Sequence, residues 1–180
     1  MGGVVDRYRR IAVDGRPVVT GVALLGDAWA CTNPSIGRGI TLGLLHAQRL
    51  RDVVREHGEH PREFAEAWDA VTEAELTPWY RDTIAEDRGR LREIEALRAG
   101  VDPGPPTTPE AQLRAALLTA IPHDPDVFRA FLASRAVVRT LRESLGEPGF
   151  AEHVFEAAAG KEPRPFPGPS REQLRQLAAA

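Results

Sequence analysis

Residues 24–47 read LLGDAWACTNPSIGRGITLGLLHA, and this stretch decides how the rest of the chain is read. An apolar run ends at Leu25, Gly26-Asp27 makes a turn, and Asn33, Pro34, Gly37 and Gly39 lie in a loop. Beyond the loop, Ile40, Leu44, Ala47, Leu50 and Val54 recur in steps of three and four. That spacing predicts a helix with those five residues on one face. The helix then starts beside Gly37 and Gly39, where its first N–H groups are unpaired and the peptide dipoles leave a partial positive charge. Such an end suits an anion or an electron-rich ring edge. Glycines there remove the Cβ atoms that would hold a flat ligand off the backbone. Asp27 can accept hydrogen bonds from hydroxyls at the same place. The plainer reading is a strand-to-helix connection in which Asp27 and Asn33 only cap. Against it, the loop far exceeds the ~2–6 residues such connections need.

These residues resemble the second flavin-binding motif of FAD-dependent monooxygenases and related oxidoreductases, the p-hydroxybenzoate hydroxylase-like group. Gly26, Asp27, Ala28, Pro34, Gly37, Gly39, Ala47 and Leu50 fall in the motif's register. Trp29, Ala30, Thr41 and His46 depart from it, standing where the group has a small residue, His, Asn and Asp. The resemblance covers mainly residues 11–55. It implies that Asp27 holds ribityl or ribose hydroxyls of FAD. It also implies that Pro34, Gly37 and Gly39 lie against the isoalloxazine. With their neighbours they make a cofactor-binding set of Gly26, Asp27, Pro34, Gly37, Arg38, Gly39 and Ile40. NAD(P)H is the electron donor the resemblance suggests, and the substrate is an unspecified small molecule.

Upstream, Asp14-Gly15 signals a turn, and residues 9–13 and 18–25 read as the two arms of a hairpin. The second arm is almost wholly apolar, so it is expected to be buried on both faces. The basic cluster Arg7, Arg9, Arg10 reads as a solvated strand edge. Downstream the chain reads as helical. The first helix stops near His57-Gly58 and Pro61 opens the next. Thr77-Pro78 is expected to interrupt that one, Thr capping and Pro taking the first position of a new helix. Ile84, Leu91, Ile94 and Leu97 continue an apolar stripe to Gly100. The Pro-rich stretch 101–109 is the best internal boundary. A helix through Leu113 and Leu117 follows. Asp124-Pro125 starts a longer one closed by Gly146, and a short helix spans residues 149–159. Residues 161–169 read as an extended linker, and Ser170 with Gln173 as a capping box for a last helix.

The remaining chemistry is sparse. His57 and His60 flank a Gly and precede a Pro, which breaks the helix that would align them, so no metal site is expected. His46 reads as a satisfied structural histidine, and Cys31 lacks an activating base. Trp29 fits either core packing or a stack on the cofactor. No residue takes a catalytic acid or base role. The 180 residues are 42% hydrophobic and 27% charged, with a net charge of −3 and one cysteine. This composition predicts a globular chain in a reducing, cytoplasmic setting, without nucleic-acid or membrane partners. No apolar leader or membrane-length run is visible.

The group's other fingerprint, G-x-G-x-x-G in an N-terminal βαβ unit, is absent from the sequence. The reading is therefore an α/β fragment: a short β-hairpin followed by a mainly α-helical body, part of an FAD-binding Rossmann-like domain. Residues 1–58 would be the C-terminal part of that domain, 59–160 a helical region, and 161–180 a Pro-rich linker with a short terminal helix. A separate N-terminal flavin-domain half is the implied partner. The expected function is one portion of a monooxygenase-like oxidoreductase. The alternative, from another class, is a non-catalytic helical binding or oligomerisation module with a vestigial flavin motif.

Overall fold

A computed structural model of the chain describes residues 6–31, 33–101, 104–162, 169 and 171–179. The chain is mainly helical, with a short hairpin near its start. Contacts divide it into two compact units, residues 1–105 with 130–144, and residues 106–129 with 145–180. The first passage between units falls inside the Pro-rich stretch 101–109.

In the first unit, β2 (Ala12–Val13) pairs antiparallel with β3 (Arg16–Pro17). Asp14 (φ 49°) and Gly15 (φ 71°) join them, the two positive φ angles of a type I′ turn. β1 (Arg7–Tyr8) pairs antiparallel with β4 (Ala30–Cys31). The expected second arm does not form. Past Pro17 only Val18 continues the ladder, its N–H donating to Ile11 O at 2.8 Å. Gly21 then turns the chain at φ 75°. Val18 is 72% exposed, and Val19, Val22 and Leu25 also face solvent. An apolar run is buried as a strand only where another strand accepts its hydrogen bonds, and among the described residues none lies alongside 19–25. Ala23 and Leu24 alone pack on the core.

Helix α1 (Gly39–His57) begins and ends where the sequence predicts, but its inward face overlaps the expected one only in part, sharing Leu50. Ile40 is 83% exposed, and Leu44 and Val54 are also outward. The inward face carries Leu42, Leu45, His46, Leu50 and Val53. Apolar residues cover more than half the circumference of α1, so periodicity alone does not choose. The deciding partners are Trp29 and Trp68, whose large rings lie on the Leu45–His46 side. α2 (Pro61–Val71) carries Pro61 in its first turn and packs on α1.

The chain stays helical through Thr77-Pro78, although Pro78 does stand in the first turn of an α-helix, as the sequence predicts. A π-helical segment, Thr72–Leu76, joins α2 directly to α3 (Thr77–Ala99). Pro78 lacks an N–H, and its ring would clash with the carbonyl four residues back. The wider π turn, closed by Thr77 N–H to Thr72 O, makes the room and keeps one rod. Thr77 is fully buried and its hydroxyl donates to Glu73 Oε1 at 2.8 Å. The expected stripe on α3 is outward at its far end, where Leu91, Ile94 and Leu97 are exposed. Gly100 closes α3 at φ 69°, the left-handed residue such ends favour.

α4 (Pro109–Ala120) is capped by Thr108, whose Oγ1 accepts from Ala111 N. α5 (Pro125–Arg135) is capped by Asp124. It stops ten residues short of the expected end, because Val137 turns left-handed at φ 58°. α6 (Leu141–Leu145) then starts on a capping box. Thr140 N donates to Glu143 Oε2 at 2.7 Å, and Glu143 N to Thr140 Oγ1 at 3.2 Å. α7 (Phe150–Ala158) packs on α4, and α8 (Arg171–Ala179) is exposed. The expected cap Ser170 and residues 163–168 of the linker lie outside the described residues. Among the described residues, no helix is long and apolar enough to cross a membrane.

Candidate functional site

The Gly-Asp turn is a single 3-10 turn, Gly26–Ala28, packed against α1. Gly26 sits at φ 54°, and Asp27 points its carboxylate from an exposed position. Beneath the turn lies His46, 1% exposed. Its Nδ1 accepts from Gly26 N–H at a long 3.4 Å, and Nε2 lies 3.2 Å from Thr72 Oγ1. An accepting Nδ1 places the proton on Nε2, which donates to Thr72. The ring stacks on Trp68 at 4.4 Å and meets Trp29 edge-on at 5.0 Å. Burial lowers its pKa to about 4, so the imidazole is neutral near pH 7. His46 is thus the satisfied structural histidine the sequence suggests, and it ties the turn, α1 and the π segment together. Trp29, 6% exposed, packs against this ring and Tyr8, which is core packing.

Further along the loop is a 3-10 turn, Pro34–Ile36, followed by Gly37 at φ 75°. Gly37 N–H donates to Pro34 O at 3.0 Å. Pro34, Gly37, Gly39 and Ile40 are all exposed. A Cβ built on Gly26, Gly37 or Gly39 would meet nothing within 4 Å. Among the described residues, no side chain therefore closes over these glycines at the start of α1.

Arg38, between the two glycines, is directed inward. It is 6% exposed, donates to Thr83 Oγ1 at 2.9 Å, and lies over the Trp79 ring at 5.7 Å. Burial lowers its pKa, partly offset by Glu86. One helical turn beyond Thr83, buried Asp87 accepts from Asn33 Nδ2 at 3.0 Å. So Thr83 and Asp87, four residues apart on α3, hold Arg38 and Asn33 at the two ends of the loop. Among the described residues, Arg38 Nε and Asp87 Oδ2 have no hydrogen-bond partner. Nearby, burial raises the Asp82 carboxyl against the opposing pull of Arg142 and Arg38.

Sequence reasoning missed a second polar set. Tyr8 OH donates to Glu73 Oε1 and lies 3.1 Å from Thr77 Oγ1, and its ring stacks on Tyr80 at 5.0 Å. Arg10 is exposed, as the sequence suggests, but its guanidinium is paired. It grips Asp69 through Nε at 3.1 Å and Nη2 at 2.5 Å. These contacts clamp the N-terminal strands to α2 and the π segment. A Glu and a Thr four apart before a Pro were the available signal, but their partners lie some 65 residues away in sequence. His57 stands near Glu56 and Glu63, at 3.8 Å from each, not opposite a second imidazole. Cys31 is a free thiol in β4. Compared with protein-family models, curated proteins and solved structures, the chain matches none.

Proposed function

We propose that this chain contributes the ribityl and isoalloxazine side of an FAD site in a monooxygenase-like oxidoreductase. The observation that carries the reading is the bared start of α1. Gly37 and Gly39 offer backbone without side chains, Pro34 and Ile40 flank them outward, and Asp27 is exposed. The donor chemistry fits a flavin: N–H groups with a helix dipole for an electron-rich edge, and a carboxylate for sugar hydroxyls. Arg38 serves this site from below, holding the loop on α3 rather than touching the ligand. Bound FAD would supply the redox chemistry, with NAD(P)H as electron donor. The pyrophosphate side, for which this sequence has no G-x-G-x-x-G, would come from a separate N-terminal half.

FAD titrated into purified protein tests this, read by flavin absorbance and fluorescence quenching. Saturable binding is expected, weakened by Asp27→Ala by roughly one to two decades. That is the range for a hydrogen bond to a charged acceptor, about 1.5–3 kcal/mol. Equal retention by Asp27→Ala would remove the aspartate from the site, and no flavin uptake by the parent would remove the site itself.

A second reading is favoured by the outward stripe Leu91, Ile94 and Leu97 at the end of α3. Exposed apolar residues at helical spacing, flanked by charges, suit a helical binding or oligomerisation module. A colourless protein that self-associates would select it.

A further inference from the structure

The second compact unit carries a convergence of metal-ligating atoms unconnected with the Gly-Asp turn. Asp124 and Asp126 bracket Pro125 at the start of α5, and His153 lies on α7. Asp124 Oδ1 accepts from Asp126 N and Val127 N at 2.9 Å each, which fixes the carboxylate and leaves Oδ2 facing α7. His153 Nε2 is 3.1 Å from that Oδ2. Yet it is sealed from solvent and, among the described residues, outside the alignment of any hydrogen bond. One donor atom from each of Asp124, Asp126 and His153 lies within 4.8 Å of the others.

We propose that Asp124, Asp126 and His153 form a binding site for a divalent cation of the zinc class. An imidazole nitrogen with two carboxylate oxygens is a ligand set such ions take, with water in the open positions. Bonds of about 2.0–2.2 Å place neighbouring ligands about 3–3.5 Å apart, and the Asp124–His153 pair already stands at that spacing. Asp126 needs to close slightly, and its side chain, 64% exposed, has the freedom. Its Oδ1 is held at 2.5 Å by Arg129, a cation that the metal would displace or share. With its proton on Nδ1, the neutral imidazole faces Asp124 Oδ2 lone pair to lone pair across 3.1 Å, an arrangement that a cation at the site relieves. The competing occupant is a proton on Nε2, which makes a plain His–Asp hydrogen bond, or an ion pair when both ring nitrogens are protonated.

Metal-free full-length protein titrated with zinc chloride separates the two, by calorimetry and by the melting temperature. One-to-one saturable uptake with a raised melting temperature is expected. His153→Gln and Asp126→Asn should each weaken uptake about tenfold or more, with unchanged far-ultraviolet circular dichroism. His57→Gln with His60→Gln should leave it intact. No saturable uptake, or uptake indifferent to His153→Gln and Asp126→Asn, would overturn the site and leave the ion pair. Magnesium bound in preference to zinc would overturn the ion class.

Discussion

His46 shows how one side chain links a turn to the core. It keeps the Gly26 turn in place by accepting a hydrogen bond rather than by carrying charge. That makes it sensitive to acid. The unfolded imidazole takes a proton near its ordinary value of 6.5, but the folded one only near 4. The stability it contributes is therefore complete above about pH 6.5 and falls as pH drops to about 4. The loss is roughly 3 kcal/mol. Urea denaturation across that window should show the fall, and His46→Gln should flatten it. An equally steep fall in His46→Gln would place the titration elsewhere. Arg38 teaches the converse. Between two glycines at a helix start it reads as a ligand contact, but burial over Trp79 and the bond to Thr83 make it a foundation of the loop.

Among the elements, breaks in the chain are set by backbone geometry more than by residue type. Pro78 does not end a helix, because the π turn before it supplies the space the ring requires. Val137 ends one, although Val, Val and Leu there read as continuing periodicity. A β-branched residue at φ 58° carries a penalty of about 1–2 kcal/mol. Val137→Gly should therefore be more stable than Val137→Ala by about 1 kcal/mol, measured by chemical denaturation. Equal stability of the two would mean that the turn is relaxed without glycine.

For the molecule as a whole, the informative surface is apolar. Val18, Ile40, Leu44, Leu91 and Leu97 are each more than half exposed, and all belong to the first unit. If the stripe on α3 is a self-association face, Leu91→Glu with Leu97→Glu should convert a larger species to monomer in light scattering after size exclusion. The melting temperature should change little, because neither residue is packed in the core. A parent that is already monomeric at tens of micromolar would remove that reading. The flavin titration is independent of this result, since Asp27 and the start of α1 are not on α3.

Local signals were enough for the turns and helix ends. Asp14-Gly15 specifies its I′ turn, Pro61 its helix start, Gly100 its helix end, and Asp124 its cap, because each acts on the nearest backbone. The tertiary structure alone decided which face of α1 is inward, that residues 19–25 find no strand to pair with among the described residues, and that Arg38 is turned toward α3. Those outcomes depend on partners far away in sequence, chiefly Trp29, Trp68, Thr83 and Asp87. An amphipathic period offers a choice of faces, and only the packing of large rings and buried polar pairs selects between them.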